Sequence, residues 1–197
     1  VLLLGDNAYP AGTDAEWQGA FFDLYPKVIR SSVVMPTIGN HEMGVAPINI
    51  CLFADTLACD LLGEIEYPLG GLSMSSDPAS YDGDGDGPDP EGLPYLNIIT
   101  LHTRRELGGA ASGTEQYYSS DFGNVHIISL DSQLSNSDDD LRGAMQDWLT
   151  ADLEASAEQD WIIVIFHHPP YSKGENHDSD LEQREIDMRI TFAPVFE

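Results

Sequence analysis

The chain has 197 residues, 42% of them apolar, with 34 acidic side chains against 8 basic ones and a formal net charge of −26. Its length and apolar content suffice for one buried core, as a single domain or part of a larger one. The charge argues against nucleic-acid partners, whose phosphates need a basic surface, and no apolar run reaches the roughly 20 residues of a membrane span.

In chain order, "VLLL" (1–4) is a continuous apolar run ended by Gly5, and it predicts a fully buried strand. "VLLLGD" is too short for a secretory signal and lacks a basic leader; a chain that begins inside a strand says little about export. In "TDAEWQGAFFDLYPKVI", Thr13 and Glu16 form a capping-box pattern, and Trp17, Ala20, Phe21, Leu24 and Val28 recur at helical spacing. Pro26 is expected to end or distort that helix. A strand is predicted over 33–38.

From about 45 to 112, Gly, Pro, Ser and Asp replace any periodic pattern. This predicts a long, irregular, acidic insertion with little core of its own and a short strand at "YLNIIT" (95–100). "EQYYSSDFGNVHIISLDS" then predicts a hairpin, with strands near 117–119 and 125–130 and a tight turn at 121–124. Leu141, Met145, Trp148, Leu149 and Leu153 mark an amphipathic helix, "WIIVIF" (161–166) another buried strand, and 181–190 a last helical stretch. Strands alternating with helices give an α/β class, and no internal repeat is present.

Three of the apolar strands end in polar clusters: "GDNAY" (5–9), "GNHE" (39–42) and "HHPPY" (167–171). If those strands lie side by side and parallel, Asp6, Tyr9, Asn40, His41 and His167 meet at one edge, where ligands of open α/β sheets sit. Taken singly, such clusters are also ordinary turn chemistry. Together their oxygens and nitrogens suit two hard or borderline metal ions, which can activate a hydroxide and neutralise the attacking and leaving oxygens of an in-line displacement.

"GDNAY", "GNHE" and "VIFH" resemble three of the five blocks of the calcineurin-like metallophosphoesterases, GDxxY, GNH(D/E) and VxxH. The tyrosine, "YYSSDFGNVHIISLDS" and "FAPVFE" are similar to the purple acid phosphatase branch. The resemblance covers both ends of the chain but not 45–112. It implies a metallophosphoesterase-type sandwich of two mixed sheets flanked by helices. It also implies that Asp6 bridges two metals, Tyr9 binds the first (iron), and Asn40 and His167 bind the second (zinc, manganese or iron). His41 would contact the substrate phosphate or protonate the leaving alkoxide, and His177 would contact substrate. Glu42 would orient Asn40 or His41 from behind, and His168 is expected as a neighbour of the centre rather than a ligand. His126 reads as a satisfied core histidine, and His102 has no assignable role.

The family also carries an Asp-containing block before these and a GHxH block after them, so residues 1–197 resemble the interior of a longer domain. By itself the stretch is then expected to leave the faces of "VLLL" and "WIIVIF" partly uncovered, to fold poorly, to bind metals weakly and to lack activity, unless groups such as His168 or Asp131 take over the missing roles.

The expected function is hydrolysis of small phosphate monoesters. Alternatives are a phosphodiesterase or nucleotidase of the same superfamily, and a non-catalytic, cation-binding extracellular or structural protein. "DGDGDG" (82–87) adds a candidate calcium loop, with Asp82, Asp84 and Asp86 spaced as first ligands and Asp89 or Glu91 replacing the usual terminal Glu; the other reading is an acidic linker. Cys51 and Cys59 either close a short loop as a disulfide or remain two buried thiols. Self-repulsion at this charge is relieved by salt or bound cations, so a secreted, high-salt or calcium-rich setting is expected; an ordinary acidic soluble protein is the plainer alternative.

Overall fold

Apolar runs far apart in sequence pair first. In the computed structural model, which describes residues 1–9, 12–43, 93–134, 139–174 and 177–197, β1 (Leu2–Leu3) lies parallel to β2 (Met35–Pro36). The ladder is shorter than the 33–38 expected, although Thr37, Ile38 and Gly39 continue it as buried chain. Between the strands, Thr13 caps α1 (Asp14–Trp17): its hydroxyl accepts from Glu16 N at 3.3 Å, and the Glu16 carboxylate accepts from Thr13 N at 2.9 Å.

Past Trp17 the helix widens into a π-helical segment, Gln18–Phe22. Each such turn holds an extra residue, so the 3.6-residue stripe slips. Trp17 and Phe21 stay buried, whereas Leu24 and Val28, expected on the same stripe, are exposed. Pro26 falls after the break and opens α2 (Pro26–Ile29) at its first turn, where a missing N–H leaves no bond unmade.

The strand expected at 95–100 is a helix, α3 (Pro94–Ile98), preceded by Leu93 in extended conformation. A short apolar run fits a buried strand or a buried helix equally, and Pro94 at the first helical position decides between them. Leu93, Tyr95 and Leu96 turn inward and join Trp17, Phe21 and Ile38 in one apolar cluster. This end of the expected insertion therefore does contribute core. Residues 44–92, with Cys51, Cys59 and the loop of Asp82, Asp84, Asp86, Asp89 and Glu91, lie outside the described residues.

The hairpin forms as the alternation predicts. β3 (Tyr118–Phe122) and β4 (Val125–Ser129) are antiparallel, turning at Gly123 with φ 65°, and β5 (Trp161–Ile165) pairs parallel to β4. The crossover is α4 (Asp139–Ala155), whose Met145, Trp148 and Leu149 pack with Ile128, Leu130 and Leu134. Met188 and Phe192 complete that core from a π segment (Met188–Phe192) between α5 (Gln183–Asp187) and α6 (Ala193–Phe196). The last helical stretch thus outruns the 181–190 expected.

β1 and β5 are less covered than continuous apolar runs suggest. Val1, Leu2, Leu4, Ile162 and Ile163 are exposed, and Trp161 is 65% exposed. Among the described residues β5 is paired on one side only. The result, among the described residues, is the expected α/β fold, one parallel and one mixed sheet flanked by helices. Side chains join the two: Thr37 donates to Leu130 O at 2.7 Å, and Tyr118 and Ser129 donate to Pro36 O at 2.7 and 2.9 Å. These bonds tie the end of β2 to β3 and β4, and β1 and β5 follow through their backbone pairing with β2 and β4. None of the described helices is long and apolar enough to cross a membrane.

Candidate metal centre

The loop after β1 is held in a backbone conformation it would not choose alone. Gly5 has φ 84°, and Asp6 follows at φ 55°, in the left-handed region that non-glycine residues enter at a cost. Glu42 supplies the compensation. Its fully buried carboxylate accepts from Asp6 N at 2.7 Å, Asn7 N at 2.5 Å, Ala8 N at 3.4 Å and Gly39 N at 2.8 Å. The expectation placed Glu42 behind the side chains of Asn40 or His41. Its bonds go instead to the backbone of 6–8 and 39, so it clamps the loops after β1 and β2 to each other. Gly39 permits this approach, since a Cβ there would overlap Asp6 Oδ1 and N.

Around the clamp, three segments distant in sequence converge. Asp6 Oδ1 accepts from His41 N at 2.9 Å, and Asp6 Oδ2 accepts from the Tyr9 hydroxyl at 3.0 Å. The same Oδ2 stands 3.3 Å from His167 Nε2, which lies 3.2 Å from Asn40 Oδ1. His167 Nδ1 donates to Leu4 O at 2.8 Å, a bond only a protonated Nδ1 can make. Nε2 therefore faces two acceptors, a carboxylate oxygen and an amide oxygen, with its own lone pair available. Three electron pairs directed at one another demand positive charge: a proton on the ring or a metal cation. The donor set fits a cation, and Asp6, Asn40 and His167 would hold it. Among the described residues no three His, Cys, Asp or Glu side chains form a metal-binding group; here two such residues, Asp6 and His167, are completed by the amide oxygen of Asn40.

The charges follow this geometry. Burial alone would raise the Asp6 carboxyl, but the His167 contact and the His41 N–H outweigh it and lower it to about 2. Burial likewise opposes a charge on His167, while Asp6 and Leu4 O favour it, and the imidazole ends above its ordinary value. The Tyr9 hydroxyl is pushed up to about 12, first by burial and then by Asp6. Tyr9 is thus a phenol donating to Asp6, with its ring tilted against His41 at 4.0 Å; it joins the cluster as a donor, and only a nearby cation would turn it into a ligand oxygen. His41 Nε2 is 3.8 Å from Asp6 Oδ2.

Of the other candidates, His168 packs against this cluster, whereas the hydrogen bonds of His177, His102 and His126 go elsewhere. His168 is buried, its N–H donates to Ser132 Oγ at 3.0 Å, and its Nδ1 pairs with the same hydroxyl at 2.8 Å. Burial, with the charge of His167, pushes its imidazole down to about 3. It stands edge-on to His167 at 4.8 Å as a neutral neighbour. Asp131 is buried at the end of β4, its Oδ1 accepting from Gln133 N at 2.8 Å. His177 is exposed on a narrow loop, its carbonyl accepting from Ser172 Oγ at 2.7 Å and Gly174 N at 3.2 Å. His102 Nε2 faces Ser119 O and Ser120 Oγ, and His126 is fully buried. Sequence reasoning missed Ser132, which anchors His168 from 36 residues away, and Thr37, whose hydroxyl reaches Leu130; neither carries a local signal.

Compared with known families, residues 1–192 match the model described as calcineurin-like phosphoesterase. A comparison with curated proteins finds no match.

Proposed function

The chain belongs to the calcineurin-like phosphoesterase family, and on that premise we propose that it hydrolyses small phosphate monoesters at a dinuclear metal centre, in the manner of the acid phosphatase branch. The observation carrying this reading is that His167 Nε2 stands 3.3 Å from Asp6 Oδ2 and 3.2 Å from Asn40 Oδ1. In this reading Asp6 would serve both metals, Tyr9 would add an oxygen to the first, and Asn40 and His167 would hold the second, with iron suited to the tyrosine side and zinc, manganese or iron to the other. Bound metals supply Lewis acidity and a nucleophilic oxygen at moderate pH.

The chain's own groups do the rest. Leu4 O fixes the His167 tautomer, so that Nε2 faces inward. The clamp of Glu42 positions Asp6, and the His167 contact and the His41 N–H keep its carboxyl ionised. His41, whose backbone N–H donates to Asp6 and whose ring rests on the Tyr9 ring with Nε2 3.8 Å from Asp6 Oδ2, holds the proton for the leaving alkoxide. His177 reaches the phosphate oxygens from its exposed loop. The acidic surface supports a secreted or salt-rich setting.

Two substitutions separate these roles. His41→Ala is expected to lower turnover by about a hundredfold or more, the usual range for a general acid, with metal content unchanged. Asn40→Ala is expected to deplete metal, read by elemental analysis. Loss of metal from the His41 variant would reassign that residue. An aryl phosphate monoester and the matching diester, tried in parallel on the natural protein, distinguish the phosphodiesterase reading. Stoichiometric metal without hydrolysis of either would favour a cation-binding protein.

A further inference from the structure

A second buried ionic cluster lies on the hairpin, in a part of the molecule the metal centre does not use. His126 of β4 is fully buried with both ring nitrogens on carboxylates: Nδ1 is 2.7 Å from Asp121 Oδ1 of β3, and Nε2 is 2.7 Å from Asp152 Oδ2 of α4. Asp152 is itself fully buried, and its Oδ1 accepts from Ala110 N at 2.5 Å and Ser119 Oγ at 2.7 Å. From the turn after α4, Ser156 Oγ approaches Nε2 at 3.2 Å. The titratable groups facing the ring are thus Asp121 and Asp152; the 108–110 loop and the turn after α4 bring uncharged Gly109, Ala110 and Ser156. Gly109 stands so close that a Cβ there would overlap Ser119 Oγ.

A carboxylate can only accept. Two such acceptors at 2.7 Å on a single imidazole require a proton on each nitrogen, so the folded cluster holds one proton more than a neutral ring with two carboxylates. Asp152, with two fixed donors on its other oxygen, is poorly placed to carry that proton. If Asp121 shares it, the count is unchanged. Removing the proton leaves a ring lone pair against a carboxylate; the His126 ring and Asp152 are fully buried, while the Asp121 side chain is 35% exposed.

We propose that Asp121, His126 and Asp152 form a proton-dependent lock that fastens the β3–β4 hairpin to α4 at acid and neutral pH and releases it in alkali. Burial alone would lower the imidazole, but the two carboxylates outweigh it and raise it. Because the folded value lies above the unfolded one, the stabilisation is complete below the unfolded value near 6.5 and is lost as pH rises through the folded value. The lock therefore favours the fastened hairpin at acid and neutral pH over alkaline pH. β4 leads directly to Leu130, whose carbonyl holds Thr37, and to Ser132, which holds His168 beside His167.

Urea unfolding from about pH 5 to about pH 9 tests this, comparing the protein with Asp121→Asn. In the unaltered protein the unfolding equilibrium constant should rise about tenfold per pH unit within the window between the two values. An asparagine can donate through Nδ2 to a neutral Nδ1 while Nε2–H still serves Asp152, so the variant should lose one proton's worth of that slope. Equal slopes would overturn the lock. If Asp121→Asn fails to fold, nitrogen NMR of His126 in the unaltered protein at about pH 7 decides. Two N–H-type ring nitrogens are expected, and one bare nitrogen refutes the proposal.

Discussion

Glu42→Ala is expected to destabilise the protein by on the order of 4 kcal/mol, the range for leaving buried charged-group partners unmatched. The carboxylate is fully buried and collects four backbone N–H groups from two loops. Alanine leaves those donors in a space with nothing to accept them, at about 1–3 kcal/mol for each one that water cannot reach. Against a total stability of about 5–15 kcal/mol, that is a large share. Glu42→Gln keeps the volume but turns an NH2 toward donors that need an acceptor, so about half the loss is expected. Asp6 is held at φ 55° by this clamp, so both variants should lose metal earlier than they lose structure as urea is raised. The urea midpoint and metal content, followed together, measure the two effects. A Glu42→Ala midpoint close to that of the unaltered protein would show that the loops do not depend on the clamp.

Gly39→Ala is expected to abolish phosphoester hydrolysis while adding a single methyl group. Its Cβ would overlap Asp6 Oδ1 and Asp6 N and press on Glu42 Oε2 at 2.8 Å. Asp6 and Glu42 are both pinned by hydrogen bonds, so neither can yield without unmaking the site. Displacing a reacting-centre group by about 1 Å costs about a hundredfold in rate, and here the displaced group is the proposed bridge between metals. Gly143→Ala in α4 is the control: nothing lies within 4 Å of its Cβ, and alanine should be neutral or stabilise by about 0.5–1 kcal/mol. Turnover and metal content of the two variants, measured side by side, check the contrast. An active Gly39→Ala protein would mean that the loops after β1 and β2 approach less closely than described.

Both predictions fall on motif residues visible in the sequence, yet neither role was. Gly39 and Glu42 were legible as motif positions because a polar tetrapeptide after an apolar run is a local signal. What the Glu42 carboxylate binds was not legible, since three of its four donors lie more than thirty residues away. The same division runs through the fold. The capping box at Thr13 and Glu16, the hairpin around Gly123 and the apolar stripe of α4 came straight from local pattern, because each depends on neighbours within a turn or two. Leu24 and Val28 misled because a π segment resets the helical period, and nothing in that stretch announces it. The apolar run at 95–100 became a helix over Pro94–Ile98 when Pro94 took a first-turn position and Tyr95 packed against Trp17.

What the sequence determined by itself is therefore the kind of element at most positions and the chemistry waiting at the strand ends: a carboxylate, an amide and imidazoles. Only the tertiary structure decided that His167 turns its Nδ1 to Leu4 O and its Nε2 to Asp6 and Asn40, and that His126, which read as a plain core histidine, lies between two carboxylates. Periodicity and capping are set by forces acting along a few residues of chain. The direction of a ring nitrogen is set by an acceptor brought from a distant segment, and that acceptor arrives only when the sheets close.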